Sequence, residues 1–270
     1  MKINNKKIAA SPSSAAWLTR QARDPYVARA QREGYRARAV YKLIEINEKF
    51  KFLKNGQVIV DLGAAPGSWS QYIAREFPRS RVIAMDLLHI KPIPGVTFYT
   101  GDFTTDEALD WLNKTINNCP PTGPQNREPT PPKGGVVKCS LDSEQVSAEL
   151  LPPWGESQSA SPVSARRDAV GGQVDVVLSD MAPNTTGHQK TDHLRQMTLL
   201  EYAWDFAKQS LKPGGTFVAK SFTGGTTSEL LADMKKSFEK VAHVKPAASR
   251  KDSVEMFIVG LRFKNDRSER

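Results

Sequence analysis

The 270-residue sequence has few cysteines and no long apolar segment. Its two cysteines, Cys119 and Cys139, are too few for a disulfide framework and lack the spacing of metal ligands. No apolar run approaches the length of a membrane span, and the first residues lack the apolar stretch of a secretory signal. We therefore predict a cytoplasmic protein with no metal site and no membrane partner, although the basic, serine-containing start leaves organelle targeting open.

The glycine pattern G-x-G-x-x-G is also missing. The first predicted turn between a strand and a helix lies within DLGAAPGSW (61–69) and contains Pro66. A dinucleotide pyrophosphate needs the closer glycine spacing, so this turn argues against an NAD-dependent oxidoreductase. Because S-adenosylmethionine carries no phosphate, it does not need that spacing, and a turn of this kind remains compatible with it.

Positive charge is concentrated at the start of the chain. Residues 1–54 hold 13 of the 38 lysines and arginines but only four of the 29 acids, which gives this segment the whole net charge of +9. The remaining 216 residues are formally neutral. A neutral body with a basic arm is typical of a protein that binds a polyanion. Charge alone is equally compatible with an exposed basic helix face.

Strand and helix patterns alternate along most of the chain. Short β-branched runs predict strands at 57–63, 81–87, 96–102, 174–180, 215–222 and 253–263. Amphipathic patterns predict helices from after Gly34 to about Phe50, and at 68–76, 106–116, 193–211 and 228–238. This alternation indicates an α/β fold with a mostly parallel, doubly wound sheet and a binding crevice at the carboxyl ends of its strands.

One segment, 117–173, departs from this alternation. It holds nine of the 18 prolines and is rich in Ser, Gly and Gln, a composition that favours a disordered surface insertion. We divide the chain into a basic arm and helix (1–54), suited to a polyanion, and a doubly wound α/β domain (55–270) that this insertion interrupts.

Acidic residues follow the predicted strands beside the glycine-containing turn. Gly63 and Gly67 let the backbone approach a ligand closely, and the next helix presents free N–H groups. Asp86 lies 19 residues after Gly67, about the spacing at which a carboxylate accepts hydrogen bonds from the ribose of a nucleoside cofactor. Asp102 ends the third strand, where it could contact an exocyclic amine. Asp180 and Lys220 end the fourth and fifth strands, so all of these residues should face one crevice.

The motifs resemble those of the FtsJ-like ribosomal RNA large subunit 2'-O-methyltransferases. The resemblance runs from about Trp17 to Phe263 outside the insertion, on motifs that read YRARAVYKL (35–43), DLGAAPGSWSQY (61–72), SDMAPNTTG (179–187) with Asp192-His193, LKPGG (211–215) and Ser253-x-Glu255. It departs from the family pattern at Ser68, where a second glycine is usual, and in the proline-rich insertion.

The resemblance implies a seven-stranded Rossmann-like methyltransferase sheet and S-adenosylmethionine as cofactor. It implies a catalytic tetrad of Lys42, Asp180, Lys220 and Glu255. It also implies cofactor contacts, to which we add Gly63 from the turn; these residues are Gly63, Gly67, Trp69, Asp86, Asp102 and Asp180.

The same resemblance implies 23S rRNA in the large ribosomal subunit as substrate, most specifically a uridine of the A-loop at a late stage of assembly. Transfer RNA methylation and a non-catalytic RNA-binding assembly role are the alternatives, and we expect a monomer. Basic side chains near the cleft should hold RNA phosphates; they are Arg20, Arg23, Arg29, Arg32, Arg36, Arg38 and Lys42.

Two roles remain open for Lys220. A free lysine is protonated at neutral pH, burial and the nearby Lys42 would lower its pKa, and Asp180 and Glu255 would raise it. Lys220 is therefore either a neutral general base or a charged donor that orients the ribose hydroxyl.

Overall fold

The computed structural model describes residues 24–118, 173–184, 186–223, 227–250 and 253–264. Arg20, Arg23, both cysteines and nearly all of the predicted insertion lie outside the described residues. The division of the chain at residue 54 stays a prediction.

The described chain contains one seven-stranded sheet. Its strands are β1 (Val58–Leu62), β2 (Arg81–Asp86), β3 (Val96–Thr100), β4 (Val174–Ser179), β5 (Leu211–Phe222), β6 (Phe238–Val244) and β7 (Glu255–Phe263). Their order in the sheet is β3-β2-β1-β4-β5-β7-β6. The pairs among β1 to β5 are parallel, whereas β7 runs antiparallel between β5 and β6. This confirms the predicted doubly wound, mostly parallel α/β fold.

Six helices accompany the sheet in the described residues. They are α1 (Pro25–Glu33), α2 (Val40–Phe50), α3 (Ser68–Glu76), α4 (Asp106–Asn117), α5 (Gln189–Ser210) and α6 (Ser228–Ser237). Helix α3 occupies the predicted residues, and α4, α5 and α6 differ from the prediction by a few residues at their ends. Strand β6 was not predicted, since five of the seven residues in its sequence, FEKVAHV, are not buried and the sequence has little apolar continuity.

Helix α1 was also not predicted. The Asp24 side chain accepts a hydrogen bond from the Tyr26 backbone N–H at 3.0 Å, and Pro25 begins the helix, as suits a first helical position. Gly34 ends it in the left-handed conformation, with φ of 72°. A second helix then begins at Val40, five residues later than the prediction allowed. Helix α1 has one fully buried residue, Ala30, which explains its weak apolar pattern.

The two faces of the sheet carry separate apolar cores. One is covered by α4, α5 and α6, and in it Trp204 of α5 packs near Phe217 and Phe238. The other is covered by α2 and α3, with Leu43 and Ile46 of α2 buried against strand residues. Helix α2 from the basic arm therefore shares a core with the sheet, and this packing fixes its position relative to the strand ends.

The LKPGG motif (211–215) forms the start of β5. Helix α5 ends at Ser210, and the register of β5 against β4 shifts between Val174 and Val176. Gly214 adopts a φ of 80° at this irregularity, and Lys212 forms an ion pair with Asp175 of β4 at 2.5 Å. Within the described residues, no helix is long and apolar enough to cross a membrane.

Candidate active site

The turn after β1 depends on two glycines with positive φ. Gly63 has a φ of 74°, and a Cβ there would lie 2.7 Å from the Met181 backbone nitrogen. Gly67 has a φ of 98°, and a Cβ there would meet Ile93 at 2.8 Å and Arg36 at 3.1 Å. Both the backbone conformation and the close contacts therefore require glycine. The turn also contains the Ala65–Pro66 cis peptide bond.

Asp86 holds this turn against the end of β2. One carboxylate oxygen accepts a hydrogen bond from the Ala65 N–H at 2.8 Å, and the other accepts one from the Leu88 N–H at 2.8 Å. Leu87 and Leu88 are about two-thirds exposed beside this carboxylate. Asp102, after β3, accepts hydrogen bonds from the backbone and hydroxyl of Thr104. The strand ends thus present carboxylates next to an exposed apolar surface.

A third carboxylate, Asp61 in β1, is fully buried beneath α3. Its Oδ2 accepts a hydrogen bond from the Ser70 hydroxyl at 2.6 Å, whereas Oδ1 has no hydrogen-bond partner among the described residues. Burial raises the pKa of Asp61 to about 7, and the carboxylates of Asp180 and Asp86 add to this effect, against the lowering by Ser70. Sequence reasoning passed over Asp61 because it lies within an apolar strand.

Lys220 and Asp180 form an ion pair beside the turn. Lys220 Nζ lies 2.7 Å from Asp180 Oδ1 and donates a hydrogen bond to the Asp180 carbonyl at 2.8 Å. The Lys220 side chain is only 9% exposed. The Asp180 N–H in turn donates to the Leu62 carbonyl at 3.1 Å, one residue before the turn begins. Asp180 therefore contacts both the buried amine and the strand that carries the turn.

A second ion pair joins Lys42 of α2 to Glu255 of β7, at 2.6 Å. Lys220 is opposite Phe257 in the β5–β7 ladder, and Glu255 is two residues from Phe257, so Lys220 and Glu255 lie on one face of the sheet. The structure thus brings the four predicted tetrad residues together. Burial lowers the pKa of the Lys220 ammonium, but Asp180 and Glu255 more than offset this and raise it above its usual 10.5.

The charges at the strand ends suit a cationic cofactor. Asp86, Asp102 and Asp180 lie at the carboxyl ends of β2, β3 and β4, Asp61 is buried within β1 between them, and the cation Lys220 is paired with Asp180. Such a surplus of carboxylates would repel a pyrophosphate, whereas a sulfonium with an ammonium group is attracted. The residues present therefore fit S-adenosylmethionine, and Asp86 and Asp102 stay the predicted contacts that would hold its nucleoside.

The Trp69 side chain points into the core between α3 and α2 and not toward the exposed cofactor turn. Its indole is 2% exposed, packs 5.8 Å from the Phe257 ring and donates a hydrogen bond to the Ala39 carbonyl at 2.8 Å. The side chain therefore ties α3 to the start of α2, and the Trp69 backbone lies in the first turn of α3, next to the cofactor turn. Its contact with the cofactor stays a prediction.

The predicted RNA-binding arginines differ in their contacts. Arg36 donates to the carbonyls of Lys91, Pro92 and Pro66, at 2.7, 2.9 and 3.2 Å, and so joins the cofactor turn to the loop after β2. Arg38 contacts Asp24 and the Ala248 carbonyl. Arg32 is exposed. An RNA role for these three residues stays a prediction, but Arg36 and Arg38 already use several donors within the protein.

Sequence reasoning missed several residues that hold the site together. Gln196 of α5 donates to the carbonyls of Lys220 and Met181, at 3.1 and 3.3 Å. Gln71 of α3 accepts from the Arg36 N–H at 3.0 Å. Asp192 accepts from the backbone and hydroxyl of Thr186, which fixes part of the loop after Asp180. Only Asp192 carried a signal, through its place in a motif. Among the described residues, no cluster of three or more His, Cys, Asp or Glu side chains could hold a metal ion.

The sheet is doubly wound and has carboxylates at the ends of neighbouring strands, and its first turn lacks the glycine spacing of a pyrophosphate site. Together with the buried lysine–aspartate pair, these features define the class of S-adenosylmethionine-dependent methyltransferases. The model of the FtsJ-like methyltransferase family matches residues 35–263, and the chain belongs to this family. S-adenosylmethionine is its cofactor.

Relatives cover nearly the whole chain. Ribosomal RNA large subunit methyltransferase E of Novosphingobium aromaticivorans is 43% identical over 93% of this chain and 89% of its own length. The protein of the same name from Xanthobacter autotrophicus is 44% identical over 100% of this chain and 87% of its own. The crystal structure of a protein described as a ribosomal RNA methyltransferase from Plasmodium falciparum matches with a TM-score of 0.59 at 25% identity, over 85% of this chain and 98% of that one.

The raised pKa of Asp61 predicts a pH-dependent stability. The folded protein binds this proton more tightly than the unfolded chain, so the stabilisation is complete below about pH 4 and is lost as the pH rises to about 7. Replacing Asp61 by Asn removes the titration. We expect the free energy of unfolding of Asp61→Asn, relative to wild type, to rise by up to about 4 kcal/mol across this window. Urea denaturation at several pH values measures it, with Asp110→Asn on the exposed face of α4 as control; a constant difference would contradict the prediction.

The contacts of Arg36 predict a role in cofactor binding. Arg36→Ala removes the hydrogen bonds to the Pro66 carbonyl and to the loop after β2, so the KM for S-adenosylmethionine should rise about tenfold. Arg75→Ala is a matched control, since Arg75 donates to a backbone carbonyl, that of Glu33, away from the turn. An unchanged KM for the cofactor, with a weaker salt dependence of RNA binding, would instead assign Arg36 to the RNA.

Proposed function

We propose that this chain transfers the methyl group of S-adenosylmethionine to a ribose 2'-hydroxyl of large-subunit ribosomal RNA. The observation that carries the proposal is the buried Lys220 amine, paired with Asp180, whose backbone is hydrogen-bonded to the strand of the cofactor turn. The names of the relatives and the basic arm support an RNA substrate. The basic arm disfavours a methyltransferase for proteins or small molecules.

The cofactor, when bound, supplies a methyl group that its sulfonium already activates. The chain therefore has two tasks, to align a ribose oxygen with that methyl group and to manage the proton that the oxygen loses. The turn with Asp86 and Asp102 performs the alignment on the cofactor side. Lys220 and Lys42 lie where the ribose would approach, each paired with a carboxylate.

Between the two roles left open for Lys220, the ion pairs favour the charged donor. The carboxylates of Asp180 and Glu255 raise its pKa, so the amine is protonated at neutral pH in the free enzyme. A charged Lys220 donates a hydrogen bond to the 2'-oxygen and holds it in place. As the C–O bond forms, the S–C bond of the sulfonium would break and a neutral thioether would leave. The hydroxyl proton would then leave the methylated oxygen, which is strongly acidic, and water would accept it.

Lys42 and Glu255 complete the tetrad by a second hydrogen-bonded pair. Glu255 Oε1 lies 2.6 Å from Lys42 Nζ and also accepts from the Ser249 hydroxyl at 3.3 Å. Glu255 acts on Lys220 through charge, and we assign Lys42 to the ribose or its adjoining phosphate. These roles predict that both pairs contribute to turnover more than to cofactor affinity.

The finer target is part of the same proposal. We propose a uridine in the A-loop of 23S rRNA, methylated in the cytoplasm within a nearly assembled large subunit, by a monomeric enzyme. Methylation of transfer RNA and a non-catalytic role in assembly are the alternatives that the experiment must separate.

Transfer of a tritiated methyl group to isolated large subunits tests the proposal. Wild type should label 23S rRNA, and mapping should find one 2'-O-methylated uridine. Lys220→Ala should reduce transfer by about a hundredfold or more while the affinity for S-adenosylmethionine stays nearly constant. Lys212→Ala is the matched control, because Lys212 is also paired with an aspartate but lies near the start of β5.

Parallel substrates decide among the alternatives. Labelling of transfer RNA without labelling of large subunits would contradict the ribosomal target, and no labelling of any RNA would leave only the assembly role. Lys220→Arg separates the two roles of Lys220, because arginine stays charged and can donate hydrogen bonds but cannot act as a neutral base. Methyl transfer should be partly retained in this variant if Lys220 is a charged donor, and lost if it is a neutral base. Residual turnover of Lys220→Ala near the wild-type level would contradict both roles.

A further inference from the structure

A cavity next to the tetrad is lined by three cationic side chains, and two of them, Arg38 and Arg250, have no role in the methyl transfer itself. Its volume is about 170 Å³, and it is bounded by Arg38, Ala39, Lys42, Arg250, Ser253 and Glu255. A space of this size holds about five or six waters, so it can accept a hydrated or directly bound polar group. Because Lys42 and Glu255 belong to both the cavity and the tetrad, a group bound in the cavity would lie next to the reacting ribose.

Arg250 is the cation in this cavity with the least internal engagement. Its side chain is 41% exposed, and its Nε lies 3.7 Å from Asp24 Oδ2, beyond hydrogen-bonding distance. Arg38, in contrast, is 15% exposed, forms an ion pair with Asp24 and donates to the Ala248 carbonyl. Arg38 is therefore held in place, and the Arg250 guanidinium retains donors for a ligand.

The backbone around Arg250 is fixed to the body of the protein. The Ala248 N–H donates to both carboxylate oxygens of Glu45 in α2, at 3.0 and 3.2 Å. The Ser253 N–H donates to the Arg250 carbonyl at 3.0 Å, and the Glu255 N–H donates to the Ser253 hydroxyl at 3.1 Å. Arg250 is thus presented from a hydrogen-bonded segment between β6 and β7, and its guanidinium is directed by that segment toward the cavity.

The charges of the cavity favour an anion. Three cations, Arg38, Lys42 and Arg250, outnumber the two carboxylates beside them, those of Asp24 and Glu255, and each carboxylate is already in an ion pair. A guanidinium offers two parallel N–H donors that match the oxygens of a phosphate. In RNA, the 2'-hydroxyl and the 3'-phosphate stand on neighbouring carbons of one ribose. A phosphate site therefore has to lie immediately beside the residues that handle the 2'-oxygen.

We propose that Arg250, supported by Arg38, binds the phosphate on the 3' side of the ribose that is methylated. The inference rests on the proposed function, since it names the part of the RNA substrate that the same site holds. It adds a residue outside the basic arm to the RNA contacts. Arg250 thereby fixes the direction in which the RNA strand enters and sets the 2'-oxygen against Lys220.

Salt-dependent RNA binding tests this assignment without methyl transfer. Binding of wild type, Arg250→Gln and Arg250→Lys to large ribosomal subunits and to bulk transfer RNA is measured from 50 to 300 mM salt in the absence of the methyl donor. Loss of one phosphate contact should reduce the slope of log affinity against log salt by about 0.7 to 0.9. Affinity at low salt should fall about tenfold in Arg250→Gln and less in Arg250→Lys, which keeps the charge but not the planar guanidinium.

Arg79→Gln is the matched control, since Arg79 is an exposed arginine at the opposite end of the sheet, before β2. Its slope should equal that of wild type, and all variants should keep the wild-type melting temperature and cofactor affinity. A wild-type slope in Arg250→Gln would overturn the assignment, even if the wild-type enzyme methylates large subunits. A reduced slope in Arg250→Gln, with no methylation by wild type, would support the phosphate contact while the proposed function fails.

Discussion

The ion pair between Lys220 and Asp180 is the interaction on which the rest of the site depends. Burying such a pair costs desolvation, and it contributes little net stability compared with apolar side chains of the same size. The location of the pair explains why an ion pair is buried here, since the Asp180 backbone is hydrogen-bonded to β1 and lies next to the cofactor turn. The pair therefore holds one amine, in its charged form, beside the cofactor turn, where the proposed function has the methyl donor and the acceptor meet.

The segment from Arg36 to Lys42 links the two halves of this site. Arg36 donates to the Pro66 carbonyl in the cofactor turn, and the Ala39 carbonyl accepts from the Trp69 indole in α3. Three residues further on, Lys42 faces Glu255 in the acceptor half. A short stretch of the basic arm thus contacts both halves of the site. A displacement of the cofactor turn should therefore also shift Lys42, and the reverse. The described part of the basic arm therefore belongs structurally to the candidate site, in addition to the RNA-binding role that we predict for it.

The sequence predicted the parallel part of the sheet and the residues at the ends of its strands, but neither α1 nor β6. Asp86, Asp102, Asp180 and Lys220 could be placed because the carboxyl ends of such strands meet at one edge. The β7 side of the site came only through the family resemblance, since the antiparallel insertion of β7 between β5 and β6 has no signal in the residues alone. Arg250 and the internal contacts of Arg36 could not be predicted, because they depend on which surfaces α1 and α2 cover. The burial of the Trp69 indole could not be predicted either, because a tryptophan at this place in the motif is compatible both with a buried side chain and with a cofactor contact.

The most direct test of this account is the pKa of the Lys220 side chain, measured by NMR titration of the free enzyme, with Lys220→Arg used to assign the signal. We expect a value above 10.5, because the attraction of Asp180 and Glu255 exceeds the cost of burial. A pKa near neutrality would contradict the account, since it would show that the carboxylates do not hold the amine in its charged form and would make Lys220 a neutral base.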